Sequence, residues 1–301
     1  MKRNMSVLNL AMILCAALPL SSGTAAYAGT PVKTNVHGTV DISVMSFDID
    51  RYDKAETEHK WEDRVHAVVA MIEDECPAVI GMQECMSNQK DDLDLLLQGY
   101  DSFGAGILDG KLKGPMNAVY YRKDCLDLVD YGYFWYSDTP DEPRTKFESA
   151  EHTCGASWAV FSIRKTGRKF FFLNTALDIV AEVRGMQARM ILEMMDEYGK
   201  GLPCIVVGDF HYKEAGTFGT DMNNPSVVLN TRMVDGRRMS LCTSSVKSAN
   251  FYGKKKNGNR DYIFYTPDLE GILFKTINKE YAGVKYMSDH YPVRNVIRFR
   301  K

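Results

Sequence analysis

Apolar and polar positions alternate in short runs along most of this chain, and Gly, Pro and acidic breaks separate the runs. Residues 40–47 alternate well enough to predict a strand that opens on Asp48 and Asp50. Over residues 59–76, Trp61, Val65, Val68, Val69 and Ile72 recur at helical spacing, and Pro77 ends the predicted helix. Residues 78–82 read as a short buried strand carrying Gln83 and Glu84 at its end, and residues 91–97 as a short helix. Residues 118–121 predict another strand, and 126–136 a strand with a turn near Tyr131 and Gly132. The Pro-, Asp- and Glu-rich residues 137–153 predict an irregular surface loop. A hairpin over 157–163 and 169–174 turns at Lys165-Thr166-Gly167 and delivers Asn174 and Asp178. Residues 183–198 form the clearest helix pattern, stopped by Gly199.

The run Ile205-Val206-Val207 is β-branched, follows the breaker Gly201-Leu202-Pro203 and halts at Gly208, as a buried strand does. Asp209 and His211 stand two residues apart just beyond it, so an extended backbone points both into one cavity. A short helix near 225–230 follows, then strands over 261–265 and 275–278, a Ser288-Asp289-His290 cluster, and a last strand over 293–300. Many short strands with a few helices between them predict an α/β (α+β) fold with sheet-on-sheet packing.

Composition changes this picture little. A hydrophobic content of 45% is ample for a core, and the net charge of −2 gives no global attraction to nucleic acid or an anionic membrane. Any grip on a phosphorylated ligand must be local. The N-terminus adds more: Lys2 and Arg3, an apolar stretch over residues 7–20, and small residues ending in Ala26-Tyr27-Ala28. That is the layout of a secretory signal peptide over residues 1–28, cleaved after Ala28, and its apolar run is short for a membrane span. Residues 29–39 read as a short linker and 40–301 as the domain, with secretion or a periplasmic destination expected. An even six cysteines remain beyond Cys15, with no metal-binding spacing and no assignable pairing.

Five polar clusters thus fall at strand ends: Asp48, Gln83-Glu84, Asp209 with His211, Asp261, and Asp289-His290. For Asp209 and His211 alone, a polar turn after a core strand is the plain alternative. An acid beside an imidazole suits general acid–base work on a phosphate ester. Hard carboxylate oxygens select Mg²⁺ or Mn²⁺ rather than zinc.

The order of these clusters, with residues 44–49, 79–84, 174–178, 208–211, 260–264 and 288–293 around them, resembles the endonuclease/exonuclease/phosphatase (DNase I-like) superfamily. The resemblance spans essentially the whole chain after the leader. It implies a four-layer sandwich, two packed mixed sheets flanked by helices, that hydrolyses a phosphoester by metal-assisted attack of water. It implies Glu84 as the main metal ligand, with Asp48 and Asp289 beside it. Asp209 would deprotonate the water, Asp261 would pair with His290, and His211 and Asp178 would complete the catalytic group. Asn174 and Arg184 would face substrate, Arg184 and Gln187 bracing the Asp178 loop. The chain departs from the family's pattern in carrying Asp48 and His211 where asparagine is usual, and Ala176 and Ile179 where histidines are usual. It also has Cys154 in place of an arginine and Pro115 in place of a glutamate. Lost donors imply a lower rate or an unusual substrate, since one transition-state donor is worth about a hundred- to a thousandfold. The expected partner is a small phosphorylated substrate rather than long nucleic acid, bound by a monomer. The alternative is a degenerate member that binds a phosphorylated or glycan ligand without turnover, in which apolar side chains fill the cleft near Ala176 and Pro115.

Overall fold

The computed structural model describes residues 29–35, 38–51, 58–212, 220–254 and 258–300. The expected signal peptide, residues 1–28, lies outside them. Among the described residues, no helix is long and apolar enough to cross a membrane.

Two mixed sheets pack face to face. The first runs β11 (Cys242–Thr243), β13 (Leu269–Thr276), β14 (Val293–Phe299), β2 (Val40–Asp48), β3 (Val79–Cys85), β5 (Met116–Arg122) and β4 (Tyr100–Phe103), with β1 (Val32–Thr34) paired on β2. The second runs β10 (Val234–Asp235), β12 (Asp261–Tyr265), β9 (Cys204–Asp209), β8 (Lys169–Ala176), β7 (Gly155–Ile163) and β6 (Leu126–Trp135). Helices α1 (Trp61–Glu75) and α2 (Ser87–Leu96) cover the first sheet; α3 (Ala181–Gly199) and α4 (Pro225–Leu229) cover the second. A short α5 (Gly236–Met239) follows β10.

Alternation along the strands builds the layers. On β2, Ile42 and Val44 enter the core between the sheets with Phe161, Phe172 and Val207, whereas Met45 and Phe47 turn outward to Trp61 and Val68 of α1. On β9, Ile205 and Val207 face inward while Val206 meets Ile191 of α3. Strands buried on both faces read as near-continuous apolar runs, which is why 205–207 stood out in the sequence.

The sheets approach closely at Gly81, where an added Cβ would sit 2.4 Å from Val207 Cγ2 and 2.6 Å from Asn174 Oδ1. Asn174 fills this seam: its amide donates to the carbonyls of Met82 (3.0 Å) and Ala118 (2.8 Å) and accepts from Gln83 Nε2 (2.6 Å). Asn174 is fully buried, so the expected substrate contact is replaced by a staple between the sheets.

Other expectations need correction. The stretch read as a linker contributes β1, paired antiparallel with β2. β6 runs through Tyr131 and Gly132 without a turn; Gly132 instead makes room for the Trp158 ring, 2.8 Å from where a Cβ would stand. The strand expected at 275–278 begins earlier, at Leu269, and β4 was not foreseen. Residues 137–153 form no strand or helix, as expected. Within them Lys146 Nζ donates to the Ala150 carbonyl at 2.5 Å, tying the loop to itself rather than reaching toward a substrate. All six described cysteines are free.

Candidate active site

Topology collects the strand-end groups. β2 and β3 are parallel, β8 and β9 are parallel, and β12 and β14 run against them. The C-terminal ends of the first four strands therefore share one edge with the N-terminal ends of the last two. Register fixes the neighbours: Asp48 lies opposite Gln83, and Asp209 lies between Ala176 and Asp261.

Asp48, Asp209 and His290 are buried, and one potential ligand atom from each lies within 4.8 Å of the other two. His290 Nδ1 sits 3.0 Å from Asp261 Oδ2, the expected pair, which leaves Nε2 directed at the site. Burial pulls the His290 imidazole down, but Asp261, then Asp209 and Asp48, outweigh it and hold it well above the ordinary histidine value. A protonated His290 is a hydrogen-bond donor rather than a metal ligand.

Asp209 accepts from the His211 backbone N–H at 2.8 Å through Oδ1. Its Oδ2 is buried and has no well-formed hydrogen bond, although His211 Nε2 lies 3.0 Å away. The two side chains do converge, but not through an extended backbone. His211 adopts φ +48°, and its Nδ1 bonds the Leu177 carbonyl at 2.5 Å.

Glu84 also departs from extended geometry. It sits at φ +55° in an irregularity between Met82 and Cys85, and this turns its carboxylate toward Arg51 Nε, 3.7 Å away. Backbone strain of this kind costs of order 1–3 kcal/mol and concentrates at functional sites. Burial raises the Glu84 pKa, Arg51 opposes this, and Asp209 adds to it. Asp48 rises well above the usual carboxylate range through burial and then through Glu84. Asp289 stands outside the buried trio, 4.0 Å from His290 Nε2, its pKa raised by burial and partly offset by His290.

Crowded, mutually repelling carboxylates are what a divalent cation satisfies. Asp48 and Glu84 supply hard oxygens of the kind such an ion selects.

Two expected site residues have other work. Asp178 is fully buried; its Oδ2 accepts from the His152 N–H (2.8 Å) and its Oδ1 from the Val180 N–H (2.8 Å). Both its oxygens are thus engaged in holding the loop beside the cleft. Gln187 Oε1 accepts from the Asp178 N–H at 2.9 Å, and Arg184 donates to the Ile179 carbonyl, so both brace this loop as expected. Arg184 is placed for bracing; its guanidinium is held below its usual pKa chiefly by burial.

A cleft of about 400 Å³ opens beside Glu84 and His211, and Ala176, Pro115 and Cys154 line it. It is not filled by apolar side chains. Two of the residues lining it escaped the sequence reading: Arg51 and His152. Arg51 lies three residues past Asp48, a position that could have drawn notice. His152 carried no signal, because only the tertiary bond to Asp178 brings it here.

A two-sheet sandwich flanked by helices, with carboxylates and an imidazole gathered at one sheet edge, defines a DNase I-like fold. The chain belongs to the Endonuclease/Exonuclease/phosphatase family, whose sequence profile matches residues 35–290. An endonuclease/exonuclease/phosphatase structure from Bacteroides vulgatus superposes with a TM-score of 0.80 at 26% identity, covering 86% of this chain and 99% of that one. A mannosyl-6-phosphatase from Bacteroides thetaiotaomicron gives 0.78 at 29% identity, covering 85% of this chain and 98% of that one. An uncharacterized protein of Acanthamoeba polyphaga mimivirus is 25% identical over 244 residues, 78% of this chain and 91% of its own length.

Proposed function

We propose that this protein is an exported, divalent-metal-dependent hydrolase of small phosphoesters, working as a monomer with Mg²⁺ or Mn²⁺. The observation that carries the proposal is the gathering of Asp48, Asp209 and the Asp261–His290 pair, next to an open cleft lined by Glu84 and His211. A family relative active on a sugar phosphate, the mannosyl-6-phosphatase, supports the reaction class. The openness of the cleft at Ala176 and Pro115 weighs against a binding protein without turnover.

The buried, unpartnered Oδ2 of Asp209 takes a proton from water as the water oxygen attacks phosphorus. The phosphorus–oxygen ester bond breaks, the leaving alkoxide takes a proton from solvent, and Asp209 returns its proton there. His290, held by Asp261 and kept cationic, donates from Nε2 to a phosphoryl oxygen as negative charge builds there. A cation held by Glu84 and Asp48 would offset the charge of the phosphate and acidify the attacking water.

The test is a screen of phosphomonoesters and diesters with and without Mg²⁺ or Mn²⁺, beside Asp209→Ala. Protein for the screen comes from the exported fraction, where N-terminal sequencing should begin at Gly29. The metal should be required, and Asp209→Ala should lose at least about a hundredfold in rate. Equal rates for the two proteins, or protein found only inside the cell with residues 1–28 attached, would remove the corresponding half of the proposal.

A further inference from the structure

Leu108 and Ile179 are 45% and 53% exposed, yet both line the same cleft beside Glu84. One exposed aliphatic residue is ordinary. Two from separate loops, facing one site and both held in place, are not. The Leu108 N–H donates to the Lys113 carbonyl at 3.0 Å and the Ile107 N–H to the Pro115 carbonyl at 3.1 Å. Trp135 Nε1 donates to the Ile107 carbonyl at 2.7 Å. On the other side, Arg184 clamps the Ile179 carbonyl and Asp178 fixes the turn below it. Leu108 and Ile179 thus form a built apolar lip.

The wall between them offers little to a hydroxylated ligand. Ala176, Leu177 and Pro115 carry no side-chain donor or acceptor. Three polar side chains near that wall already spend a donor within the protein. Asn117 Nδ2 donates to the Gly155 carbonyl at 2.8 Å, Thr153 Oγ1 to the Arg144 carbonyl at 3.3 Å, and His211 Nδ1 bonds Leu177. A polyol placed against this wall would regain fewer hydrogen bonds than it gives up to water, whereas an alkyl or aryl group has none to give up and buries apolar surface there. Arg51, which also lines the cleft, is the guanidinium that would meet the anionic end.

We propose that the cleft selects phosphoesters whose alcohol portion is apolar, alkyl or aryl, over esters of sugars and other polyols. The proposal rests on the hydrolase reading above and specifies its substrate class.

Hexyl phosphate and mannose 6-phosphate are both esters of primary alcohols, so their leaving-group chemistry is closely matched. With Mg²⁺, kcat/KM should favour hexyl phosphate by about tenfold or more, the scale on which apolar pockets discriminate. The methyl diesters of the same alcohols should show the same order. Leu108→Ser combined with Ile179→Ser should bring the ratio close to one. Equal or better turnover of the sugar ester, or an unchanged ratio in the double variant, overturns the proposal. If none of these esters is hydrolysed, the hydrolase reading fails by itself. The lip is then judged by calorimetry with hexylphosphonate and methylphosphonate in the presence of Mg²⁺. Tighter binding of the hexyl compound, reduced in the double variant, sustains it; equal affinity overturns it.

Discussion

His290 shows how single residues at this site depend on their neighbours. Its ring is buried, which alone would favour the neutral form, but Asp261 at 3.0 Å and two further carboxylates reverse the balance. In metal-free protein, imidazole NMR should therefore find His290 protonated well above pH ~6.5, the ordinary midpoint for histidine. A folded pKa raised above the unfolded one means the pair contributes its full stability below the unfolded value. That contribution is lost as pH rises through the folded value. Asp261→Asn should bring the His290 midpoint down and cost about 3–5 kcal/mol, the usual penalty for breaking a buried pair. A midpoint unmoved by Asp261→Asn would remove the cationic donor from the mechanism.

At the level of elements, the staple between the sheets is the feature most open to a direct test. Asn174→Ala would take the side-chain donor from the buried carbonyls of Met82 and Ala118, while Gln83 Nε2 keeps Ser46 Oγ and the Gly81 carbonyl as acceptors. Each group that loses its partner costs about 1–3 kcal/mol, so urea unfolding should show a loss of at least about 2 kcal/mol. A substrate-contacting asparagine would instead raise KM and leave stability unchanged. The strand ends carrying Asp48, Asp209 and Asp261 were legible in the sequence, because doubly buried strands stop abruptly where polar residues begin. Asn174 was misread because its partners lie 56 to 92 residues away, and no local pattern records a contact at that separation. Glu84 was placed at the correct strand end, but the left-handed residue that aims it was not visible: nothing in the apolar alternation marks an irregularity of this kind. The lip was hidden for a related reason. Leu108 and Ile179 lie in irregular segments, where periodicity carries no information.

The whole molecule gathers its acids from two sheets. Asp48 and Glu84 come from the first sheet and Asp209 and Asp261 from the second, so the site exists only while the sheets stay packed. Mutual repulsion among these carboxylates opposes folding, and burial keeps water from screening it. A divalent cation bound across the seam would bind the folded chain and not the unfolded one. At a hundred times its dissociation constant it would add about 2.7 kcal/mol of stability. For a domain of this size, that corresponds to a rise of about 5–10 °C in Tm. Thermal unfolding with MgCl₂ or MnCl₂, against NaCl at equal ionic strength, measures this directly. Asp48→Ala should raise the starting Tm slightly by relieving repulsion, and it should shrink the metal-dependent rise. If neither ion moves the Tm of the unaltered protein, the carboxylates are not a metal site, and the hydrolytic mechanism loses the cation it requires.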